Sequence, residues 1–247
     1  MKIFDAHLHI IDKRFPLFPN QGYLPDTFSC SDYLESTKSL NVIGGAVVSG
    51  SFQGFDQSYL IDAIQTLGEN YAGVTQLPSD TRDEEIIRLN ELGVRALRFN
   101  VNRGGSEDIS RLDYFARRVY ELAGWHTELY INSTRLPDVS SIIEKLPAVS
   151  VDHLGLSRDG FDHLLSLVDK GVKVKATGFG RIDFDPGEAM KHIYSINPEA
   201  LMFGTDLPST RAGRPFLLSD VDLILNNMEE EQAEKILFKN ALNWYLK

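Results

Sequence analysis

Short apolar runs and longer amphipathic segments alternate along the whole chain. Eight runs rich in β-branched and aromatic residues predict strands: KIFDAHL, GGAVVSG, YAGVTQL, VRALRFNV, TELYIN, VSVDHLG, VKVKATG and LMFGTDL. Segments between them, such as SRLDYFARRVYELAG and DGFDHLLSLVDKG, repeat apolar residues at helical spacing. With EEEQAEKILFKNALNWYLK as a closing helix, this alternation predicts a single-domain (β/α)8 TIM barrel over residues 1–247. An open doubly wound sheet is the alternative, but no GxGxxG motif follows a strand to favour it.

A barrel of this kind carries its chemistry at the C-terminal ends of the strands, so polar residues there are candidates for the site. In strand order they are His7 and His9, Ser49, Gln76, Arg98 with Asn100 and Arg103, Glu128 with Tyr130 and Asn132, His153, Thr177 with Arg181, and Asp206. Lys173 and Lys175 lie earlier on the seventh strand, where they alternate with valines and can point into the barrel.

The first strand carries Asp5, His7 and His9 at alternate positions. Because successive strand residues face opposite sides, we expect all three to line the barrel interior, with Asp5 deeper as an orienting partner. The two imidazoles can converge on one ion or one water, and neutral imidazole suits a borderline metal such as zinc. Manganese is the other candidate ion. His7, His9 and Asp206 are therefore the candidate ligands of one divalent metal, and a site without metal is the alternative.

Two further residues are candidates for the reaction itself. Asp206 stands where an apolar strand ends and is the candidate general base, although aspartate at such a place also serves as a cap or turn residue. His153 follows Asp152 directly, and we expect only one of these neighbours to face the interior. An inward His153 polarises a carbonyl or binds metal, whereas an inward Asp152 leaves His153 as a packing residue.

Several arginines fall near the predicted rim, although the chain has a net charge of −10. Guanidinium groups bind carboxylates and phosphates through paired hydrogen bonds, so Arg98, Arg103 and Arg181 predict a small anionic substrate. Arg98 carries the most weight, because a charge inside a strand needs a partner or a cavity. For Arg211 and Arg214, a surface salt bridge is an equal alternative.

The composition of the chain excludes several classes of binding partner. The negative charge and the absence of a Lys/Arg run argue against nucleic acid and anionic membranes. No stretch resembles a signal peptide or a spanning helix, so we expect a cytoplasmic protein. Cys30, the sole cysteine, excludes an intrachain disulfide and is expected to be a small buried hydrophobe.

The ordered set FDAHLHI, GVRALRFNV, GWHTELYI, VSVDHLG, VKVKATGFGR, NPEALMFGTDLP and KNALNWYL covers essentially the whole chain. It resembles the amidohydrolase superfamily, in the amidohydrolase-2 type that includes 2-pyrone-4,6-dicarboxylate lactonase and sugar-acid lactonases. The resemblance implies a (β/α)8 barrel that hydrolyses an ester or lactone. It also implies that Asp206 activates water and that His7, His9 and His153 polarise the carbonyl or hold a metal. Arg98, Tyr130 and Arg181 would bind carboxylates and ring oxygens of the substrate.

Departures from the family pattern refine this expectation. Metal-dependent members usually carry a lysine or glutamate on strand 4 or a histidine at the end of strand 5. Here His126 lies at the beginning of that strand and is expected to be structural, and Glu128 is a substitute only if it points inward. The expectation is therefore one metal or none. The segment after strand 6 of the dicarboxylate lactonase resembles DHxGR, whereas this chain has DHLGLSR there, with Leu156 and Arg158. This difference suggests that the substrate is a smaller or less charged lactone.

The sequence thus predicts a hydrolase in which water attacks a lactone or ester carbonyl, with Arg103 and Ser49 completing the substrate site. A metal-dependent decarboxylase or hydratase acting on a similar acid, and a ligand-binding barrel without catalysis, are the alternatives. Residues 15–29, rich in proline and aromatic residues, form either a lid or a packed loop.

Overall fold

Eight parallel strands form one sheet in sequence order. The structure, a computed structural model, describes residues 1–246. The strands are β1 (Ile3–Leu8), β2 (Val42–Val48), β3 (Tyr71–Thr75), β4 (Val94–Asn100), β5 (His126–Tyr130), β6 (Val149–Val151), β7 (Lys173–Ala176) and β8 (Leu201–Phe203). Each strand pairs with the next in parallel register from β1 to β8.

The sheet curls into a barrel whose last gap closes just beyond β8. There the main-chain nitrogen of Asp206 donates to the carbonyl of His7 at 2.7 Å, and that of His9 donates to Leu207 at 2.8 Å. The predicted single (β/α)8 barrel is confirmed, and the closing contact ties the end of β1 to the segment that carries Asp206.

Helices alternate with the strands and cover the outside of the barrel. They are α1 (Cys30–Thr37), α2 (Ser58–Leu67), α3 (Asp83–Glu91), α4 (Leu112–Ala123), α5 (Ser140–Ile143), α6 (Phe161–Asp169), α7 (Pro186–Ile196), α8 (Ser219–Asn227), α9 (Glu230–Glu234) and α10 (Asn240–Tyr245). The apolar faces of these helices pack on the outward side chains of the strands, including Leu97, Phe99 and Leu129. None of the helices in residues 1–246 combines the length and the apolar character needed to cross a membrane.

The predicted closing helix is three segments: α9, a π-helical stretch over Lys235–Lys239, and α10. Lys247, the last residue of that prediction, lies outside the described residues. Tyr245 of α10 lies under the barrel, where its ring stacks on Phe4 with centroids 5.7 Å apart and its hydroxyl donates to Glu128. Helix α10 therefore closes the N-terminal mouth of the barrel.

Most of the predicted strands run past the observed ends, and the ends of β6, β7 and β8 matter most for the site. β6 ends at Val151, β7 at Ala176 and β8 at Phe203. His153, Thr177 and Asp206 consequently lie in the segments that follow the strands, where strict alternation no longer sets the direction of a side chain.

Candidate active site

The alternation expected for β1 does not continue through Asp5. The pairing of β1 with β2 is irregular between Asp5 and Leu8. Asp5 faces outward, where Tyr33 of α1 donates to it at 3.0 Å and the hydroxyl of Thr205 at 2.7 Å. The prediction that Asp5 lines the interior was wrong, because this irregularity places Asp5 and His7 on different sides. Asp5 supports the site through the main chain instead, since it also accepts from the main-chain nitrogen of His7 at 3.2 Å.

His7 lies fully buried inside the barrel. Its Nδ1 atom is 3.5 Å from Oδ1 of Asp152 and 3.4 Å from Nζ of Lys175. Burial disfavours the charged imidazolium and lowers the pKa of His7 to about 3, although Asp152 acts in the opposite direction. His7 is thus a neutral imidazole at physiological pH, with its Nε2 atom directed toward Asp206 at 3.9 Å from Oδ1.

His9 has a defined tautomer. Its Nδ1 atom lies 2.7 Å from the main-chain oxygen of Val48, which can only accept, so Nδ1 carries the proton. The Nε2 atom of the neutral ring then presents a lone pair, and it lies 3.7 Å from Oδ1 of Asp206. Two acceptors facing each other at this distance call for a cation, a proton or a water between them.

Asp152 and His153 both serve the interior, so the expectation that only one of them does was wrong. Asp152 binds Arg98 inside the barrel at 2.7 Å. His153 adopts a φ of +52°, which turns its ring back over the barrel, with Nδ1 2.6 Å from the hydroxyl of Thr177. A side chain at Gly178 would bring its Cβ to 2.6 Å from this Nδ1 atom, so glycine is required there.

Asp206 is the residue on which the histidines converge. It is buried, and its Oδ2 atom accepts from Nε of Arg181 at 2.7 Å. Burial alone would raise the pKa of Asp206, but Arg181 and then His153 hold the pKa well below its usual range. Asp206 is therefore a carboxylate, and its second oxygen, Oδ1, has no hydrogen-bond partner within residues 1–246.

Three imidazoles surround that free oxygen. The Nε2 atoms of His7, His9 and His153 lie 3.9, 3.7 and 4.0 Å from Oδ1 of Asp206. Nε2 of His7 is likewise without a partner in the described part of the chain. Buried polar atoms are normally satisfied, so this cluster encloses a place for a water or a metal ion. His7, His9 and Asp206 form one group able to hold a metal, and His7, Asp152 and His153 form another.

Beneath the histidines lies a buried cluster of Arg98, Glu128, Asp152 and Lys175, here called the barrel ion cluster. Lys175 contacts Oε2 of Glu128 at 2.5 Å and lies 3.7 Å from Asp152, which in turn binds Arg98. Burial would raise the pKa of Asp152, but Arg98, His7 and Lys175 hold it well below its usual range. Two cations thus balance two carboxylates, and Glu128 points inward but below the level of a metal ligand at the mouth.

His126 lies at the lower end of the same network, as expected for a structural residue. Its Nε2 atom is 3.1 Å from Oε1 of Glu128, and its ring packs against Trp244 and Tyr245. It is therefore separated from the mouth by the barrel ion cluster.

A pocket opens above the histidines, with about 370 Å³ of space between atoms when the solvent at its open mouth is included. Its lining includes His9, His153 and Phe52 together with Asn100, Tyr130 and four arginines, which are Arg98, Arg103, Arg181 and Arg211. A wider outer pocket shares Arg103, Tyr130, Arg181 and Arg211 with it. The predicted substrate residues on β4, on β5 and after β7 are thus brought to one cavity.

The predicted candidates differ in what they offer to that cavity. Arg98 is held by Asp152 and by the main-chain oxygen of Ser49 at 2.5 Å. The hydroxyl of Ser49 lies 2.6 Å from that of Tyr59 on α2, so Ser49 meets the site through its main chain rather than its side chain. Arg214 pairs with Asp220 at 2.6 Å, which is the salt-bridge alternative considered for it.

The loop over residues 15–29 lies at the mouth. The main-chain nitrogen of Phe18 donates to Phe52 at 2.8 Å, and Asn20 bonds to Arg211. Leu156 lines the outer pocket, whereas Arg158 turns its guanidinium toward Phe161, 5.9 Å from the ring centroid. The contact between Asn20 and Arg211 had no signal in the sequence, because 191 positions separate the two residues.

Gln76 was expected to be a rim residue, but its role there is structural. Its Nε2 atom lies 3.2, 3.0 and 3.1 Å from the carbonyls of Gly50, Gly54 and Gly105. Gly105 has a φ of +80°, and a Cβ there would lie 2.5 Å from the main-chain oxygen of Ser51. One side chain thus joins the loops that follow β2 and β4 at the pocket wall.

An eight-stranded barrel with histidines after β1 and β6, an aspartate after β8 and a cationic pocket at its C-terminal end defines the class of (β/α)8 barrel enzymes with a histidine–aspartate site. The chain belongs to the amidohydrolase family, specifically its amidohydrolase-2 branch, which it matches over residues 4–246.

Known relatives include two enzymes named for lactone substrates. The chain is 29% identical to a 2-pyrone-4,6-dicarboxylate hydrolase of Comamonas testosteroni over 159 residues, which cover 61% of this chain and 51% of that enzyme. It is 27% identical to a 4-sulfomuconolactone hydrolase of Rhizobium radiobacter, with 90% of this chain and 81% of that enzyme covered. Among solved structures, a putative 2-pyrone-4,6-dicarboxylic acid hydrolase of Pseudomonas putida has a TM-score of 0.82 at 24% identity, over 99% of this chain and 98% of that one.

Proposed function

We propose that the protein hydrolyses a lactone of a small anionic acid. The observation that carries this proposal is the convergence of three Nε2 atoms on the free Oδ1 atom of Asp206, below a pocket lined by arginines. The names of the relatives from Comamonas and Rhizobium support a lactone rather than an amide as the substrate.

Water adds to the lactone carbonyl in this scheme. Asp206 takes a proton from the water as its oxygen bonds to the carbonyl carbon, and the bond from that carbon to the ring oxygen then breaks. The proton passes from Asp206 to the departing ring oxygen, so the products are one hydroxyl and one carboxyl group on the same opened chain. His153 polarises the carbonyl through Nε2–H when Thr177 donates to its Nδ1 atom.

Arg181 links substrate binding to the strength of this base. In the free protein, Arg181 holds the pKa of Asp206 below its usual range, which makes the carboxylate a weaker base. A substrate anion beside Arg181 offsets the positive charge and raises the pKa of Asp206 toward the working pH. The base is therefore activated by the same anionic group that positions the substrate.

The donor set also fits one divalent ion. Nε2 of His9 carries a lone pair, and Nε2 of His7 and Oδ1 of Asp206 are buried without a partner in the described chain, so these three atoms would hold it. When bound, such an ion would supply a Lewis acid for the carbonyl and lower the pKa of water. Zinc and manganese are the ions we propose.

The test is hydrolysis of three lactones by the purified protein: 2-pyrone-4,6-dicarboxylate, 4-sulfomuconolactone and the uncharged δ-valerolactone. We expect ring opening of at least one anionic lactone, followed as proton release, and little turnover of δ-valerolactone. Mass gain of one water separates hydrolysis from decarboxylation. Absence of turnover on both anionic lactones, with and without added zinc or manganese, would reject the proposal.

A further inference from the structure

The four arginines of the pocket differ in whether a carboxylate compensates their positive charge. Arg98 is paired with Asp152 and Arg181 with Asp206, both at 2.7 Å. Arg103 and Arg211 have no carboxylate within salt-bridge distance in residues 1–246. The uncompensated positive charge of the pocket therefore lies at its mouth, on two residues that line both the inner and the outer pocket.

Arg211 is held in place by neutral groups. Its Nη2 atom donates to the main-chain oxygen of Asn20 at 2.6 Å, and Nη1 and Nη2 both lie 3.2 Å from Oδ1 of the same residue. The guanidinium also stacks on Tyr23, 4.3 Å from the ring centroid. These contacts use three of its five N–H groups, so two stay available to a ligand.

The backbone after β8 is shaped to present this side chain. Asp206, Ser209 and Arg211 all have positive φ values, of 60, 62 and 58°. A left-handed backbone is strained for residues other than glycine, and such strain is characteristic of binding sites. The coil turns Arg211 back over the pocket, toward the loop that contains Asn20 and Tyr23.

The crowding of cations raises the free energy of the empty pocket. Arg103 and Arg211 line the same two pockets, and burial and then the positive charge of Arg103 lower the pKa of Arg211. An anion placed between them removes this repulsion and gains charge-assisted hydrogen bonds.

We propose that Arg211 is a specificity-determining residue: with Arg103 it binds an anionic group of the substrate at the end remote from the reacting carbonyl, and Asn20 and Tyr23 hold it ready for that contact. This inference rests on the proposed function, because it concerns the same pocket. It implies that a ligand with two separated anionic groups binds better than an otherwise similar ligand with one.

Isothermal titration calorimetry with isophthalate and benzoate tests this without any turnover. Both probes present a carboxylate on a flat six-membered ring, and only isophthalate has a second one. We expect the wild-type protein to bind isophthalate about 10–100-fold more tightly than benzoate, the range that charge-assisted hydrogen bonds supply. Arg211→Met should reduce that ratio to about 3 or less while benzoate affinity stays within about threefold.

Two further variants make the result specific. Asn20→Asp leaves Arg211 in place but supplies a carboxylate partner, so it should reduce the ratio in the same way. Arg82→Met removes an equal charge from an exposed position at the start of α3 and should leave the ratio unchanged. The Arg211→Met protein should keep its near-ultraviolet circular dichroism.

Equal binding of both probes to the wild-type protein, or an unchanged ratio in Arg211→Met and Asn20→Asp, would overturn the assignment of Arg211. Equal weakening of both probes would also overturn it, because it would indicate a general structural role. Failure of the lactonase proposal gives a different result: no ring opening by the wild-type protein, with the calorimetric ratio still deciding the role of Arg211.

Discussion

The imidazole of His9 donates its Nδ1 proton to the main-chain oxygen of Val48 at 2.7 Å, which leaves Nε2 as an acceptor facing the carboxylate of Asp206. A neutral His9 therefore cannot donate to a substrate carbonyl from this position. In a mechanism without metal only His7 and His153 can do so, whereas the tautomer of His9 is the one that a metal ligand requires.

The tautomer of His9 leads to a prediction about the metal content of the protein. We expect about one zinc or manganese ion per chain after expression in supplemented medium, and loss of that ion in the His7→Ala/His9→Ala double variant. Elemental mass spectrometry of untagged protein measures both. The exposed His192→Ala variant is the control and should keep the ion. No metal in any sample would contradict the expectation and leave the metal-free form of the reaction.

Replacement of the proposed base should separate chemistry from folding. Asp206→Asn keeps the shape of the side chain but cannot accept the proton, so turnover should fall by about 10²–10⁴-fold. The partner Arg181 loses its carboxylate, so some loss of stability is expected as well. Steady-state kinetics with circular dichroism measure the two effects. Asp138→Asn, at an exposed position, should change neither, and retained turnover in Asp206→Asn would assign the base elsewhere.

The contribution of the barrel ion cluster to the free energy of unfolding should depend on its charge balance more than on the size of its side chains. Lys175→Met leaves Glu128 and Asp152 buried with one cation, and loss of one partner from a buried pair costs about 3–5 kcal/mol of unfolding free energy. The double variant Lys175→Met/Glu128→Gln removes one charge of each sign and should recover part of that loss. Urea unfolding at pH 7 measures all three proteins. A double variant less stable than the single one would show that charge balance is not what the cluster provides.

Gln76 offers a test of how the pocket wall is held. Gln76→Glu has nearly the same shape but offers the three glycine carbonyls an acceptor in place of a donor. We expect a loss of about 1–3 kcal/mol in stability and a higher KM, because the loops after β2 and β4 are no longer joined. Gln65→Glu on the exposed side of α2 is the matched control. Unchanged KM and stability in Gln76→Glu would mean that the two loops hold their positions independently.

Cys30 should be unreactive in the folded protein. Burial, with smaller contributions from Asp62 and Asp12, raises the pKa of its thiol to about 11. At pH 8 the folded protein then contains about 100-fold less thiolate than an ordinary cysteine would. The unfolded chain releases the proton at lower pH, so this group favours unfolding as the pH rises from 9 toward 11. Ellman's reagent at pH 8 should react slowly with native protein and rapidly in urea. Equal rates would show that the thiol is accessible.

Much of this architecture could be predicted because strand and helix periods alternate clearly. The rule that barrel enzymes work at the C-terminal ends of strands then selected His7, His9, His153 and Asp206, which the structure brings together. The same rule placed Arg98, Tyr130 and Arg181 at one end of the barrel, and all three line one pocket. These predictions depended on which end of a strand a residue occupies, and that is a local property of the sequence.

The predictions that were wrong concern the directions in which side chains point. Asp5 and His7 would share a face in a regular strand, but the irregular pairing with β2 separates them. A regular strand through Asp152 and His153 would point these neighbours to opposite sides, whereas the left-handed backbone of His153 lets both face inward. Ser49 and Arg211 depend on contacts with Tyr59 and Asn20, which the fold alone brings near. Bulges, positive φ values and loop contacts leave little trace in hydrophobic periodicity.

Tyr245 and Lys175 both bond to Glu128 under the histidines, and this network closes the lower end of the pocket. Within the described residues this network fills the lower end of the barrel, so the proposed substrate and its product would share the passage at the upper mouth. In the proposed reaction, ring opening adds a carboxylate to the molecule, and the passage is lined by Arg103 and Arg211, which have no carboxylate partner in residues 1–246. The product of the proposed reaction would thus leave against a stronger attraction than its substrate met on entry.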